Sequence, residues 1–493
     1  MTDSPVLGFT IASGEVRRDI LVPRYYDPLV PKRLGELERT HDLVSVGSLI
    51  DAGDLEMRQG NYIGKIHYGT GPYPYIRTSD IANWELRASP KHGVSAEVYE
   101  TYARKQDVRQ GDILLVHEGT YLIGTPCLLT RADTKILYQH HLAKLRVARE
   151  RRISAPLLMV LLMAPIVQRQ IRSKQLTADI IDSIVGRFQE VVLPVPKDPG
   201  VRTSLGTEAA ATLEGRAWAR SCLGVLTKVL GSALRAGSAE PLDHALSTLR
   251  GDESGALAFL GARAGFSAFV LDSRDVQKGV LIPRYYDPDT DTAVEELKSS
   301  CDLRSIGELA RDGIIELETG DEVGKLAYGG GSIPFVRTSD LGNWELKHDP
   351  KQLVSTAIYE QYARKQSVEM DDILIVRDGT YLVGTSAMVT KNDLPMLFSG
   401  GIYRLRVRDR SRIDPYLLLA LLNTDVVQRQ IRDKQFTRDV IDTIGRRLEE
   451  VRLPIPRNDT LRSRVAEVFR DFVLNRAALL RRASELGRLA ETV

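Results

Sequence analysis

A chain that carries one long segment twice, at a fixed spacing and without a gap, must fold as two copies of one domain. Leu21-Val-Pro-Arg-Tyr-Tyr-Asp-Pro28 recurs as Leu281-Ile-Pro-Arg-Tyr-Tyr-Asp-Pro288, and Arg77-Thr-Ser-Asp80 as Arg337-Thr-Ser-Asp340. Asn83-Trp-Glu-Leu86 returns as Asn343-Trp-Glu-Leu346, and Val167-Gln-Arg-Gln-Ile-Arg172 as Val427-Gln-Arg-Gln-Ile-Arg432, each offset by 260 positions. From Leu21 to Asp198 roughly half of the positions match their partners. The period is far too long for a solenoid repeat.

Past each copy the likeness persists as pattern. Val465, Phe469, Phe472, Leu479, Ala483, Leu486 and Ala490 follow alternating steps of four and three, interrupted by Arg476. Leu205, Ala209, Thr212, Ala219, Leu223, Leu226 and Leu230 do the same, interrupted by Arg216. That spacing is the seam of a helix packed lengthwise on another. The expected layout is a globular copy over 1–198, a long helix over 199–232, a Gly/Ser/Pro/Asp-bearing linker over 233–264, a second copy over 265–458 and a second long helix over 459–493.

Each copy reads as mixed α/β. Asp112-Ile-Leu-Leu-Val116 and Asp372-Ile-Leu-Ile-Val376 suit buried strands, and the Gly-Thr-Tyr segments ending in Tyr121 and Tyr381 suit tight turns. Pro156–Ile171 and Pro415–Ile431 are expected as apolar helices with proline near the start. Leu193-Pro-Val-Pro196 and Leu453-Pro-Ile-Pro456 are stiff, extended exits.

Lys and Arg total 67 against 65 Asp and Glu, a net charge of +2, so any nucleic acid must be met by local basic surface. Three widely spaced cysteines, Cys127, Cys222 and Cys301, have no zinc spacing and no disulfide framework. Met1–Gly8 has no signal-peptide pattern, and the longest apolar run, Ala155–Val167, holds two prolines and is too short to span a bilayer. A cytoplasmic protein is expected.

Enzymatic motifs are missing. There is no Gly-x4-Gly-Lys-Ser/Thr loop, no dinucleotide-binding glycine turn and no Asp/Asn-Pro-Pro-aromatic tetrapeptide. Asp54-Leu-Glu56, the nearest approach to a nuclease carboxylate pair, reads Ile314-Ile-Glu316 in the second copy. His67, His92, His117, His140 and His141 face Ala327, Gln352, Arg377, Gly400 and Gly401, so no histidine in this stretch is shared as a base or metal ligand. A site in one copy alone stays open. No catalytic residue, metal or cofactor is assigned to this chain.

The shared polar residues suit a phosphate backbone. Lys65, Tyr68, Arg77 and Ser79, with Lys325, Tyr328, Arg337 and Ser339, lie in Gly/Tyr-rich stretches. Arg104 and Lys105, with Arg364 and Lys365, add charge; their plain alternative is a solvated face. His117, Thr120 and Tyr121 face Arg377, Thr380 and Tyr381, and swaps such as His117/Arg377 are where two readers would differ in target. Lys174, Gln175 and Thr177, with Lys434, Gln435 and Thr437, follow the apolar helices, and glutamine can read adenine in the major groove. For the neighbouring Arg172 and Arg432 the alternative is helix C-capping; for Arg77 it is a salt bridge to Asp80. Tyr25-Tyr26, Tyr285-Tyr286, Trp84 and Trp344 suit packing better than base stacking.

Tyr75-Ile-Arg-Thr-Ser-Asp-Ile81, Gly111-Asp-Ile-Leu-Leu-Val116, Gly119-Thr120, Gly124, Leu145-Arg146, Ile153, Gln170-Ile171, Thr177 and Leu193-Pro-Val-Pro196 come in order, and the second copy repeats them from Phe335 to Pro456. In this the chain resembles the specificity (target-recognition) subunit of type I DNA restriction-modification systems over nearly its whole length. The resemblance implies two target-recognition domains, each reading half of a split double-stranded DNA site. Two long antiparallel, coiled-coil-like helices would hold them apart in a pseudo-twofold arrangement. Partner N6-adenine methyltransferase subunits, two by this scheme, would carry S-adenosylmethionine and dock on the helices, with Leu205, Leu223, Leu226, Leu230, Phe469, Phe472, Leu479 and Leu486 as their seam; a restriction/translocase subunit would join for cleavage. The family's Glu-Gln after the Leu-Pro-x-Pro exit is replaced here by Lys197-Asp-Pro-Gly200 and Arg457-Asn-Asp-Thr460. The Arg-Tyr-Tyr-Asp-Pro opening points toward a related phage-defence methylase system. Two such similar readers favour a near-palindromic target. The competing reading is a free-standing duplicated DNA-binding or scaffold protein without a methylase.

Overall fold

The computed structural model describes the chain except residues 1–8, 18, 120, 177–181, 252–269, 271–275, 277–279, 281, 380, 439–440 and 493. Two compact units emerge. One holds residues up to Ser221 together with Ala478–Val493; the other holds Cys222–Glu253 and Ala264–Ala477. Each unit is thus a globular copy, the first half of the helix that follows it, and the far end of the other copy's helix.

Each copy is α/β around a four-stranded antiparallel sheet. In the first the order is Leu55–Gln59, Leu142–Val147, Ile113–Val116, Pro126–Leu128. In the second it is Ile315–Thr319, Ile402–Val407, Ile373–Val376, Ser386–Met388. The all-apolar run Ile113–Val116 is buried on both faces, as its composition requires. Ile113 and Leu115 join the core around the helix Ala155–Met163, while Leu114 and Val116 join Ile76, Ile81, Leu86 and Tyr138 on the other face. The proline-bearing exits are strands: Val192–Pro196 pairs with His41–Ser45, and Arg452–Pro456 with Cys301–Ser305, closing each copy.

The apolar stretch expected as one helix is two in each copy. Ala155–Met163 and Pro165–Ser173 part at Ala164, whose ψ is an extended 136°. A residue before proline is pushed out of the helical region. The second copy lacks that proline yet breaks at the same place, between Pro415–Leu422 and Asp425–Asp433. A shared glutamine serves both breaks: Gln168 Nε2 donates to the Leu162 and Gly124 carbonyls (2.7 and 2.9 Å), Gln428 Nε2 to those of Leu422 and Gly384 (2.8 and 3.1 Å).

The first long helix runs from Pro199 to Ala236 and the second from Asp459 to Leu489. Within the first unit the two run antiparallel: Arg482 meets Glu208 at 2.6 Å, and Gly215 faces Leu479. Leu205, Ala209, Leu213, Ala483, Leu486 and Ala490 all enter that unit's core. The stretch expected as linker begins inside the first long helix, which runs to Ala236, and contains a further helix, Glu240–Gly251, held by an Asp243–Arg464 pair at 2.7 Å; residues 252–264 lie outside the described residues. Among the described residues no helix is long and apolar enough to cross a membrane.

Candidate nucleic-acid interface

The strand Leu55–Gln59 leads into the stretch that carries Lys65, Tyr68 and Arg77. Lys65 stands exposed in a short 3-10 turn, Lys65–His67. Tyr68 stacks on His92 with ring centres 4.3 Å apart, and Arg77 Nη1 reaches His92 Nε2 at 3.2 Å. Burial, with the Arg77 charge beside it, pushes the His92 imidazole down to about 4. It is therefore neutral near pH 7 and accepts from Arg77. The salt bridge from Arg77 to Asp80 is not what forms. Asp80 is buried, and its carboxylate accepts from the backbone N–H groups of Arg77 (2.9 Å) and Lys91 (3.2 Å). Asp340 repeats this cap on the Arg337 N–H at 2.9 Å. The carboxylate is spent on the backbone of a short turn, which leaves the guanidinium pointing elsewhere. Arg337, Ser79, Ser339 and Lys325 are exposed.

Arg104, Lys105 and Arg364 are exposed on the last turns of Ala96–Gln106 and Thr356–Gln366. Each helix is fastened by its final glutamine: Gln106 exchanges two 2.9 Å bonds with the Tyr138 backbone, and Gln366 does the same with Phe398. Lys365 pairs with Asp321, where the first copy has Asn61.

Other candidates are engaged within the protein. His117 is buried, its Nε2 2.8 Å from the His140 carbonyl, and burial lowers its pKa. Arg377 pairs with Asp378 at 2.6 Å and lies over the Tyr403 ring. Lys174 pairs with Glu190 at 2.7 Å and sits 4.1 Å from the Tyr25 ring centre; Lys434, Glu450 and Tyr285 repeat the arrangement at 3.1 and 4.4 Å. Gln175 and Gln435 are buried, and Tyr121, Tyr328 and Tyr381 are half-buried. Thr120, Thr177 and Thr380 lie outside the described residues, as does the side chain of Thr437. What the structure leaves on the surface is thus Lys65, Ser79, Arg104, Lys105 and their counterparts, with Arg77 and Tyr68 half-buried behind them.

The helix seam assigned to a partner is covered by this chain. Leu205, Leu223, Leu226, Leu230, Phe469, Phe472 and Leu486 are buried and Leu479 is half-buried. A partner on these helices would therefore meet other side chains. The seam's two interruptions, unexplained by the four-three pattern, turn out to be its anchors to the globular copies. Arg216 is fully buried and meets Glu85 at 3.3 Å; Arg476 meets Glu345 at 3.2 Å. Both glutamates follow a two-residue hairpin turn, Asn83-Trp84 or Asn343-Trp344, with φ between +51° and +67° at all four positions. Positive φ at both central residues is the type I′ geometry that joins tightly twisted strands. Trp344 then stacks on Phe469 of the second helix, ring centres 5.2 Å apart. The signal was in the sequence: two arginines at matching places in an apolar seam, and a Trp-Glu pair shared by both copies.

Shallow cavities of about 380 and 520 Å³ lie at corresponding places in the two copies, lined by Arg149, Arg151 and Arg152 in one and by Arg304, Arg412 and Arg457 in the other. Among the described residues no group of three His, Cys, Asp or Glu is placed to hold a metal ion.

No family model matches the sequence, and no curated protein matches it. Among solved structures the chain is similar to the S subunit of a type I restriction-modification system from M. genitalium, at 13% identity over 92% of this chain and 94% of that one, with a TM-score of 0.33. It is similar to the HsdS subunit from Thermoanaerobacter tengcongensis at 15% identity, over 89% and 95%, with a TM-score of 0.26. A chain from a type I R-M complex gives 14% identity over 92% and 97%, with a TM-score of 0.26.

Proposed function

We propose that this protein is a sequence-specific DNA-binding subunit that directs a partner N6-adenine methyltransferase to a bipartite site, and does no chemistry of its own. The observation that carries the reading is the duplication joined to its helices: two copies of one α/β domain, each fastened to a long helix by the same Glu–Arg pair and each exposing the same Lys, Arg and Ser positions. Two copies that expose the same basic and polar positions suit two contacts on one duplex. The similarity of the copies favours similar half-sites in inverted order. The partner would bring S-adenosylmethionine; a restriction/translocase subunit would join the same complex, in the cytoplasm.

A second reading has its own support. Because this chain covers the apolar seam of its long helices, those seam residues do not await a partner, which suits a free-standing DNA-binding protein of a phage-defence system. Affinity purification of the tagged protein from its host, with mass spectrometry, separates the two. Stoichiometric recovery of an N6-adenine methyltransferase is the expected result. Recovery of the chain alone on DNA would favour the second reading.

A further inference from the structure

The 3-10 turns Lys65–His67 and Lys325–Ala327 carry at their centres Ile66 and Leu326, 84% and 103% exposed. Of the large apolar side chains that stand exposed among the described residues, these are the only two at the same position of both copies. Their surroundings have changed, Tyr62 to Glu322 and His67 to Ala327, while the lysine before the tip has not.

The turn is held in place. The His67 N–H donates to the Gly64 carbonyl at 3.0 Å, and the His67 carbonyl accepts from Thr70 Oγ1 at 2.7 Å. That hydroxyl in turn accepts from the Ser95 N–H at 3.0 Å. Both ends of the loop press on neighbouring backbone: a Cβ at Gly60 or Gly320, or at Gly71 or Gly331, would overlap the carbonyl oxygens of the adjacent strand. In the first copy Ile66 is therefore presented to water on a fixed support, beside Lys65 and, through Tyr68 and His92, close to Arg77; in the second, where Gly330 and Gln352 replace Thr70 and His92, the Leu326 turn keeps the bond from the Ala327 N–H to the Gly324 carbonyl at 3.2 Å.

A rigid apolar tip flanked by cations fits a stacked base step next to phosphates better than it fits an acidic or polar partner. We propose that Ile66 and Leu326 are wedges, each inserted between neighbouring base pairs of duplex DNA, one per half-site, with Lys65 and Lys325 on the adjoining phosphates. This rests on the DNA-reading function above. A methylase must take its adenine out of the stack, and a step already opened lowers that cost.

The test uses the full-length protein and a duplex that it selects from a randomised pool, with 2-aminopurine placed at each position in turn. Wild-type protein is expected to brighten the fluorophore at one step in each half-site. Ile66→Ser should abolish the signal in one half-site and Leu326→Ser in the other, each weakening binding by about tenfold, the scale of one lost specific contact. Ile66→Met and Leu326→Met, which keep an apolar wedge, should restore both. Unchanged fluorescence and affinity in the double serine variant would overturn the wedge. So would intact DNA binding with loss of a co-purifying methylase, which would make the tips a protein contact. A wild-type protein that selects and binds no duplex would instead overturn the DNA-reading function itself.

Discussion

The first long helix buries two arginines against its globular copy; the second buries one. Arg216 and Arg476 are counterparts, each on the glutamate after the Asn-Trp turn. Arg220 has no counterpart, since Leu480 stands at its place in the repeat. It meets Asp133 at 2.6 Å and donates to the Leu86 carbonyl at 3.1 Å, all buried. Asp393, the partner of Asp133, keeps only the Thr390 N–H and hydroxyl, at 2.7 and 2.6 Å. Burial pushes its carboxyl up to about 6, with Thr390 pulling the other way. The difference teaches that the same turn-capping aspartate can be a clamp or a liability, depending on one residue far along the chain.

Removing the clamp should have the largest effect. Arg220→Met strands the Asp133 carboxylate in the interior and should destabilise the first unit by about 3–5 kcal/mol. Hydrogen exchange resolved by unit should show loosening there and little change in the second. Arg216→Met and Arg476→Met break the pair both copies have, and each should cost about 2 kcal/mol in its own unit. Unequal costs would mean that the Trp344–Phe469 stack carries the second anchor.

Asp393 gives a test by pH. Its folded pKa lies above the ordinary value of 3.8, so the folded state binds the proton more tightly than the unfolded one. Its favourable contribution is therefore full below about pH 4 and is lost as pH rises through about 6. The second unit should gain on acidification from pH 7 to pH 5. Asp393→Asn should remove that gain and stabilise the unit by about 1–2 kcal/mol at pH 7.5, measured by denaturant titration at several pH values. The smallest effect is expected on the surface. Lys65→Ala and Lys325→Ala should each weaken DNA binding a few-fold and lower the salt dependence by about one ion, as the loss of one phosphate contact does.

The duplication, the buried strands and the extended exits were legible because each is local in sequence. The break at Ala164 was not, because apolar composition alone does not distinguish one buried helix from two, and the second copy breaks without proline. Lys174 and Gln175 read as an open basic edge because their partners, Glu190 and the surrounding core, lie beyond the segment that carries them. Arg216 and Arg476 were visible as interruptions, but their meaning needed the fold to bring Glu85 and Glu345 to them. The exposure of Ile66 and Leu326 carries no signal in the sequence, where an aliphatic residue beside Gly and Lys is as readily buried as exposed.

Mapping N6-methyladenine across the host genome, with and without this gene, tests the central claim most directly. A subunit with two closely similar readers predicts a bipartite motif of similar, inverted half-sites that loses its methylation when the gene is deleted. A methylation pattern unchanged by the deletion would contradict the reading of this chain as a methylase's target-recognition subunit.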